Sequence, residues 1–165
     1  MIGLDLIIET ERLAFVADLF TDKTYTAYHR AFANVRDGKI IPEIQVEDTK
    51  KYKEVLLNTK INALSFFMVD PDIEVINEVS FKAKVGIFWA VDLNALYDTV
   101  AERAVEYLHR DISAQIVRGR FELVRLVTGL DAFSEFGLVK IQDNMEPRYL
   151  ARFDTEVEYQ YNECF

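Results

Sequence analysis

The stretch FKAKVGIFWAVDL, residues 81–93, divides its side chains into two alternating sets, and this pattern decides the fold class. The first set is apolar throughout: Ala83, Val85, Ile87, Trp89, Val91 and Leu93. The second set is mixed in character: Lys82, Lys84, Gly86, Phe88, Ala90 and Asp92. Because successive side chains of a β-strand point to opposite faces, we predict a strand with one well-buried side. Phe88 lies on the mixed side, which therefore needs a second cover from another helix or a neighbouring subunit.

A long amphipathic helix is predicted directly after this strand, over residues 94 to about 118. Its apolar residues recur at steps of three and four: Leu96, Val100, Ala104, Leu108, Ile112 and Ile116. This spacing places them in a single stripe along one side of a helix. Asp92 or Asn94 can cap its start, and Gly119 is suited to close its end.

A second strand and an arm are predicted before residue 81. NALSFFMVD, residues 62–70, is rich in strand-forming residues and ends at the turn signal Asp70-Pro71-Asp72. The connection up to residue 80 mixes Val and Ile with Glu and Asn. This composition suits an exposed β arm, with a plain loop as the alternative.

Extended and helical patterns alternate in the first third of the chain. Asp37-Gly38 marks a turn, and IIPEIQ, residues 40–45, reads as extended because the residue before a proline avoids the helical region. EDTKKYKEVLL, residues 47–57, predicts a short helix capped by Asp48 or Thr49.

Two other segments are open between helix and strand. Residues 4–20 have a partial helical period, but a short strand at residues 6–9 fits them as well. Residues 121–133, FELVRLVTGLDAF, suit either a strand or a short helix.

The last element predicted is a strand over ARFDTEVEYQYNE, residues 151–163, after the segment GLVKIQDN and a turn at residues 145–147. One alternating set can pack against a core: Phe153, Thr155, Val157, Tyr159 and Tyr161. The other set is polar and carries three acids, Asp154, Glu156 and Glu158. We call these three acids the acid row.

These patterns predict an α+β fold: an antiparallel sheet with one long helix (about 94–118) and shorter helices packed on it. Residues 1–165 are expected to form a single domain with an extended arm near residues 70–80. Half of the residues are hydrophobic and 13% are aromatic, which is enough apolar material for a real core.

Charge and cysteine content exclude several classes of protein. The formal charge is −9, from 28 acids against 19 bases, and such a balance disfavours binding to nucleic acid phosphates. The single cysteine, Cys164, allows neither an intrachain disulfide nor a cysteine metal cluster. We expect no secretory signal in MIGLDLIIETER, and no apolar run long enough to span a membrane.

The sequence contains no recognisable catalytic motif. The two histidines, His29 and His109, lack a metal-ligand spacing, and no glycine-rich phosphate loop is present. We therefore predict no catalytic, cofactor-binding or metal-binding residue, and a protein that is not an enzyme. Two basic pairs, Lys82/Lys84 and Arg118/Arg120, are interpreted as solvated edges, or as groups that pair with an acidic face of another subunit.

Several short stretches, taken in order, resemble tail-completion or neck proteins of tailed bacteriophages. They are YHRA (28–31), GKIIPE (38–43), YKEVL (52–56), LSFF (64–67), the strand KVGIFWAVDL before the long helix, and NMEPRY (144–149) before the final strand. The similarity extends over most of the chain as an order of elements and small pieces.

This resemblance implies a fold, an assembly and a task. Tail terminators of such phages are α+β proteins with an antiparallel sheet and flanking helices, and they assemble into a ring, commonly a hexamer; related neck rings are larger. The ring stops growth of the tail tube, joins tail to head and leaves a passage for DNA, with no catalytic site. The implied partners are further copies of the chain, the tail tube and neck proteins, without a membrane. The implied location is the virion, assembled in the cytoplasm of the host bacterium.

The ring suggests a role for the acid row. Acids that line a DNA passage repel phosphates within about 8–10 Å, whereas a basic lining would hold DNA and slow its transit. We hypothesise that Asp154, Glu156 and Glu158 face the lumen, and the alternative is an ordinary solvated sheet face.

Two other functions are compatible with the same residues. One is a small cytoplasmic bacterial α+β domain that binds a ligand or a protein in a cleft between sheet and helix. The other is a small enzyme with a carboxylate site, for which a buried acid with a raised pKa would be the sign.

Overall fold

The computed structural model describes residues 3–56, 60–137 and 148–161. Its helices are α1 (Gly3–Asp18), α2 (Leu93–Leu96), α3 (Ala101–Arg118) and a 3-10 helix (Gly129–Phe133). Its strands are β1 (Tyr25–Arg36), β2 (Lys39–Gln45), β3 (Tyr52–Glu54), β4 (Ala63–Val69), β5 (Glu74–Val75), β6 (Ser80–Val91), β7 (Glu122–Thr128) and β8 (Tyr149–Gln160). The predicted α+β class is confirmed.

The eight described strands belong to one open sheet with the order β3-β2-β1-β4-β6-β8-β7, and β5 pairs with β6. The described neighbours pair antiparallel, with one exception: β1 and β4 run parallel. The sheet is thus mostly antiparallel, as the sequence predicts. Its longest ladder joins β6 to β8 from Ser80↔Gln160 to Val91↔Tyr149.

The prediction of one continuous helix over residues 94–118 is wrong in its first turns. Asp92 caps only the short α2, because its carboxylate accepts from the backbone N–H groups of Asn94 and Ala95. The backbone is then extended at Tyr97 and again at Val100, where α3 is about to begin. From Ala101 onward the predicted helix is confirmed, and it closes at Gly119 as expected.

The break coincides with tertiary contacts of Tyr97. Its hydroxyl donates to the Asp111 carboxylate at 2.8 Å, and its ring lies edge-on to Phe20 at 6.3 Å between centroids. Val100, which would continue the apolar stripe, is exposed instead. The hydrogen bond and ring contact of Tyr97 accompany an extended backbone rather than the helix that local spacing favours.

The helix predicted over residues 47–57 is also wrong, since Tyr52–Glu54 forms the edge strand β3. Asp48, predicted as a helix cap, has a positive φ of 58° and belongs to a turn. The chain returns along β2 after this turn, and the Val46 N–H donates to the Lys51 carbonyl at 2.9 Å. Val55 and Leu56 are then buried in the core, so tertiary pairing and burial override the local helix pattern.

The other segments fold in the following way. Residues 4–20 lie mainly in α1, which settles the choice between helix and strand there. Residues 121–133 contain both alternatives in succession, first β7 and then the 3-10 helix. Asp37-Gly38 makes the predicted turn, with φ of 50° and 74°, the left-handed pair that a two-residue hairpin turn requires. The predicted segment 137–144 lies almost wholly outside the described residues, and the turn at 145–147 lies entirely outside them.

The helices α1 and α3 cover one face of the sheet, which we call the helix face. Trp89 of β6 is fully buried there, and it contacts Phe15 of α1 at 5.4 Å and Tyr25 at 5.5 Å between ring centroids. The apolar stripe of α3 packs into the same core through Leu108 and Ile112. The predicted well-buried side of residues 81–91 is confirmed.

A second core covers part of the opposite face, which we call the open face. Phe88 stacks on Phe66 with 4.9 Å between centroids, and Phe133 and Phe136 close over both rings. The second cover that Phe88 needs is therefore provided by the same chain, in the segment after β7. The rest of the open face has no helix on it in the described part of the chain.

Candidate functional site

The acid row lies on the open face of β8. Along this strand the side chains of Phe153, Thr155, Val157 and Tyr159 are buried on the helix face. Asp154, Glu156 and Glu158 alternate with them and stay half-buried or exposed. The alternation predicted from the sequence is therefore confirmed over these residues.

Asp154 is held by two arginines. Its Oδ2 accepts from Nε and Nη2 of Arg125 on β7, at 3.0 and 2.9 Å. Arg152, two residues earlier on β8, donates from Nε to Oδ1 at 2.7 Å. One carboxylate thus lies between two guanidinium groups, and the three side chains together carry a net positive charge. Arg152 also donates to the Ala132 carbonyl at 3.2 Å, which ties the group to the 3-10 helix.

Glu156 has a cationic partner as well. Its Oε2 lies 2.8 Å from Nζ of Lys82 on the neighbouring strand β6. The hydrogen bond and the charge of Glu156 raise the pKa of Lys82, and the nearby carboxylates of Glu74 and Glu122 act in the same direction. Lys82 is therefore surrounded by acids, and it remains a cation at every physiological pH.

Glu158 differs from the other two acids because its side chain is exposed near the end of β8. Its backbone carbonyl accepts from Nη2 of Arg120 at 3.1 Å. The three acids of the acid row thus differ in their surroundings: two carboxylates lie in ion pairs across the sheet, and the third faces outward. Its effective charge is smaller than the sequence suggests.

A groove of about 820 Å³ lies beside Asp154 and Glu156. Ala31, Met68, Gly86 and Phe88 contribute to its lining, together with the Asp154 and Glu156 carboxylates. Gly86 is required for this shape, because a Cβ there would come within 2.9 Å of the Phe88 ring. The groove combines small apolar groups with ion pairs, so it can accept a charged or polar group from a partner.

Both histidines belong to the helix side of the sheet. His109 on α3 shares a 2.8 Å hydrogen bond with the Tyr149 hydroxyl, and burial lowers its pKa. His29 is half-buried on β1, near enough to Glu9 of α1 to contribute to its lowered pKa, for which the Arg12 hydrogen bond is the main cause. The structure therefore brings neither histidine to the acid row. Cys164 lies outside the described residues.

The two basic pairs have separate surroundings. Lys82 is paired with Glu156, and Lys84, its neighbour on the same face of β6, lines the groove. Arg118 ends α3 and is exposed, while Arg120 contacts the Glu158 carbonyl near the end of β8. No group of three or more potential metal ligands occurs among residues 3–56, 60–137 and 148–161.

Sequence reasoning missed one unusual acid, Glu11 of α1. Its side chain is buried, and burial raises its pKa to about 7. Its Oε1 atom has no hydrogen-bond partner among the residues that the structure describes, and the carboxylate lies against Gly119 at the end of α3. The sequence carried a weak signal of this burial. Glu11 lies four residues before Phe15, so the two side chains share one face of α1.

Comparison with known proteins adds no relative: no family model, no curated protein and no solved structure matches this chain. No helix among the described residues is both long and apolar enough to cross a membrane.

Proposed function

We propose that this chain is a non-enzymatic structural subunit of a tailed bacteriophage, which assembles with copies of itself into a ring at the tail end or at the head–tail neck. In this role the ring stops growth of the tail tube, joins tail to head and leaves a passage for DNA. The site of action is the virion, assembled in the cytoplasm of the host bacterium. The resemblance of the short stretches described above is the starting point of this proposal.

The observation that carries the proposal is the sheet with two different open edges. β3 ends the described sheet on one side and β7 ends it on the other, and neither has a strand on its outer side in the described residues. Open edges are ready sites for pairing with another chain. An edge of one copy can therefore pair with a different surface of the next copy, and such heterologous contacts make a ring where they close on themselves.

The surface composition supports the same role. Exposed large apolar residues occur near both edges and in the turn between β5 and β6. Examples are Tyr52 on β3, Val124 on β7 and Val79 in the turn. In an assembled ring these side chains would be covered by neighbouring copies. In an isolated monomer they cost solubility, which the charge of −9 offsets.

The acid row takes its hypothesised position in this ring. With Asp154 and Glu156 in ion pairs, the open face presents a nearly balanced surface with an outward acid at Glu158. A surface without excess positive charge gains little from counterion release, so it would let DNA pass without specific binding. The alternative for the same residues is plain exposure to solvent.

The test is the mass of the purified chain by light scattering, followed by negative-stain microscopy of the peak. A closed ring with a central hole supports the proposal. A monomer is then mixed with isolated tail tubes that lack their terminator, because some ring subunits close only on their partner. A chain that forms no ring alone and none on tubes contradicts the proposal.

The groove favours a second candidate, a small bacterial domain that binds a ligand or a protein. Its volume of about 820 Å³ is within the range of ligand pockets, and its lining offers paired charges around apolar groups. Two results would favour this candidate over the ring. In the first, the chain is monomeric, and charged small molecules raise its Tm. In the second, the substitution Gly86→Val abolishes this rise in Tm.

A further inference from the structure

One surface of the chain is a hairpin that carries both acidic and exposed apolar side chains. It comprises residues 72–79, between β4 and β6, and we call it the acidic hairpin. Its charged residues are Asp72, Glu74 and Glu78, without a base. Val75 is 67% exposed and Val79 50% exposed, so apolar side chains lie beside these carboxylates at the surface.

The acidic hairpin has a defined conformation. Its β5 part pairs with β6 in the register Glu74↔Lys82. Its turn is closed by the Ile76 N–H, which donates to the Ser80 carbonyl at 2.9 Å, and by Asn77, whose Oδ1 accepts from the Ser80 N–H at 3.0 Å. In the described part of the chain, β5 has no strand on the side away from β6. The hairpin therefore offers a shaped edge to a partner.

A second surface has the opposite charge. Lys50, Lys51 and Lys53 flank Tyr52 at the free edge strand β3, and all four side chains are exposed. We call residues 50–53 the basic edge. Among the described residues none of its three lysines forms an ion pair, in a chain whose net charge is −9.

The two surfaces complement each other in three respects. One is acidic and the other basic, both carry exposed apolar side chains, and both have a strand with an open side. Complementary charge of this kind steers association and fixes the register of an interface. β1 and β2 lie between β3 and β4 in strand order, so the surfaces are separated within one chain.

We propose that the acidic hairpin of one copy docks on the basic edge of the next copy, as the head-to-tail interface of the ring. This inference rests on the proposed function and specifies its interface. The contact is heterologous, because two different surfaces of the same chain meet. Salt should weaken it, since the charges lie at the surface.

Charge reversal tests this interface with the full chain. One variant carries Lys50→Glu and Lys53→Glu, so that the edge becomes acidic. The other carries Asp72→Lys and Glu78→Lys, so that the hairpin becomes basic. Each variant alone places like charges opposite each other, and we expect association at least about ten-fold weaker than in the unchanged chain.

Mixing the two variants distinguishes an interface from damage to the fold. In a mixture, every acidic edge can meet a basic hairpin and every basic edge an acidic hairpin, so alternating rings should form. A single chain with all four substitutions should also assemble by itself. The matched control reverses two exposed acids elsewhere, Glu102→Lys and Glu106→Lys on α3, and should leave assembly unchanged.

The outcomes separate this inference from the proposed function. Rings that form equally well in both reversed variants overturn the interface but leave the ring. Failure of the mixture and of the four-fold variant to recover assembly also overturns it. If the lysine substitutions abolish binding to duplex DNA while assembly persists, the basic edge is a DNA contact and the inference is wrong. A chain that never assembles, alone or on tail tubes, removes both proposals.

Directed crosslinking gives an independent readout. In a Cys164→Ser background, Tyr52→Cys and Val75→Cys place one thiol on each surface. The mixture should give a crosslinked dimer of the two variants under mild oxidation, and neither variant alone should do so. A dimer of Val75→Cys with itself would indicate a symmetric contact and contradict the head-to-tail interface.

Discussion

The carboxylate of Glu11 on α1 lies against the backbone of Gly119, where α3 ends. A buried acid is thereby placed beside the carbonyl end of a helix, where the helix dipole is negative. Burial raises the pKa of Glu11 to about 7, above the 4.5 of a free glutamate. Two predictions concern this contact.

Replacement of Glu11 by glutamine should remove a pH dependence of stability. The folded state holds the Glu11 proton more tightly than the unfolded state, so the contribution of Glu11 to stability falls as the pH rises from about 4.5 to about 7. The loss amounts to about 3 kcal/mol at most. Glu11→Gln should therefore raise the Tm at pH 8 and leave it nearly unchanged at pH 4.5.

Thermal unfolding followed by circular dichroism across this pH range checks the Glu11 prediction. Glu106→Gln on the exposed face of α3 serves as the control and should follow the native profile. Parallel pH profiles of Glu11→Gln and the native chain would show that Glu11 titrates normally.

A methyl group at Gly119 should destabilise the fold. Gly119 has a φ of −89°, which any residue adopts, so the cost comes from the collision of the new Cβ with the Glu11 carboxylate. We expect Gly119→Ala to lower the free energy of unfolding by about 1–3 kcal/mol. In the Glu11→Ala background the same substitution should cost much less, and a double-mutant cycle in urea measures this coupling. Equal costs in both backgrounds would place the strain elsewhere.

Truncation of Phe133 should show that the chain covers its own second core. The ring of Phe133 is fully buried against Phe66 and Phe88, so Phe133→Ala should cost about 3–5 kcal/mol. Leu130→Ala in the same 3-10 helix removes an exposed side chain and should change stability by less than about 0.5 kcal/mol. Urea unfolding of the monomer gives both values. Similar small losses for the two variants would mean that the cover is supplied by another subunit.

Loss of Asp154 should cost more stability than loss of its exposed partner Arg125. The Arg125 side chain is 65% exposed, so Arg125→Ala should cost less than about 1 kcal/mol. The Arg152 side chain is 17% exposed, and Asp154→Ala would leave this cation without its carboxylate. We expect Asp154→Ala to cost about 1–3 kcal/mol, and a reversed order of the two losses would contradict the assigned geometry.

Reversal of Glu156 and Glu158 tests the lumen hypothesis, which rests on the proposed function. Glu156→Lys and Glu158→Lys together should impair DNA delivery while rings and particles still assemble, because a basic lining binds phosphates. The matched control is Glu102→Lys with Glu106→Lys on α3. Infectivity and particle counts are compared, and unchanged infectivity with normal assembly would assign these acids to a solvated face.

The strands were predictable where their periodicity matched their burial. Residues 81–91 and 151–160 alternate in sequence and in structure, since each has one face in a core. The break between α2 and α3 was not predictable, because the hydrogen bond from Tyr97 to Asp111 spans 14 residues. β3 was misjudged for a similar reason, since its pairing with β2 outweighs its local helix pattern.

The partners of the acid row depend on register, which the sequence alone does not provide. The contact from Arg125 to Asp154 spans 29 residues and requires the β7–β8 pairing. The Lys82–Glu156 pair requires the register of β6 with β8. The burial of Glu11 requires the packing of α1 against the end of α3. Each of these features is set by tertiary structure rather than by local pattern.

The position of β8 between β6 and β7 has a consequence for the order of events during synthesis. β7 leaves the ribosome before β8, yet its described pairing in the sheet is with β8. β7 therefore cannot join the sheet until β8 has been translated and inserted. Until then the sheet of the nascent chain ends at β6 on this side, and the backbone groups of β6 that later pair with β8 stay open.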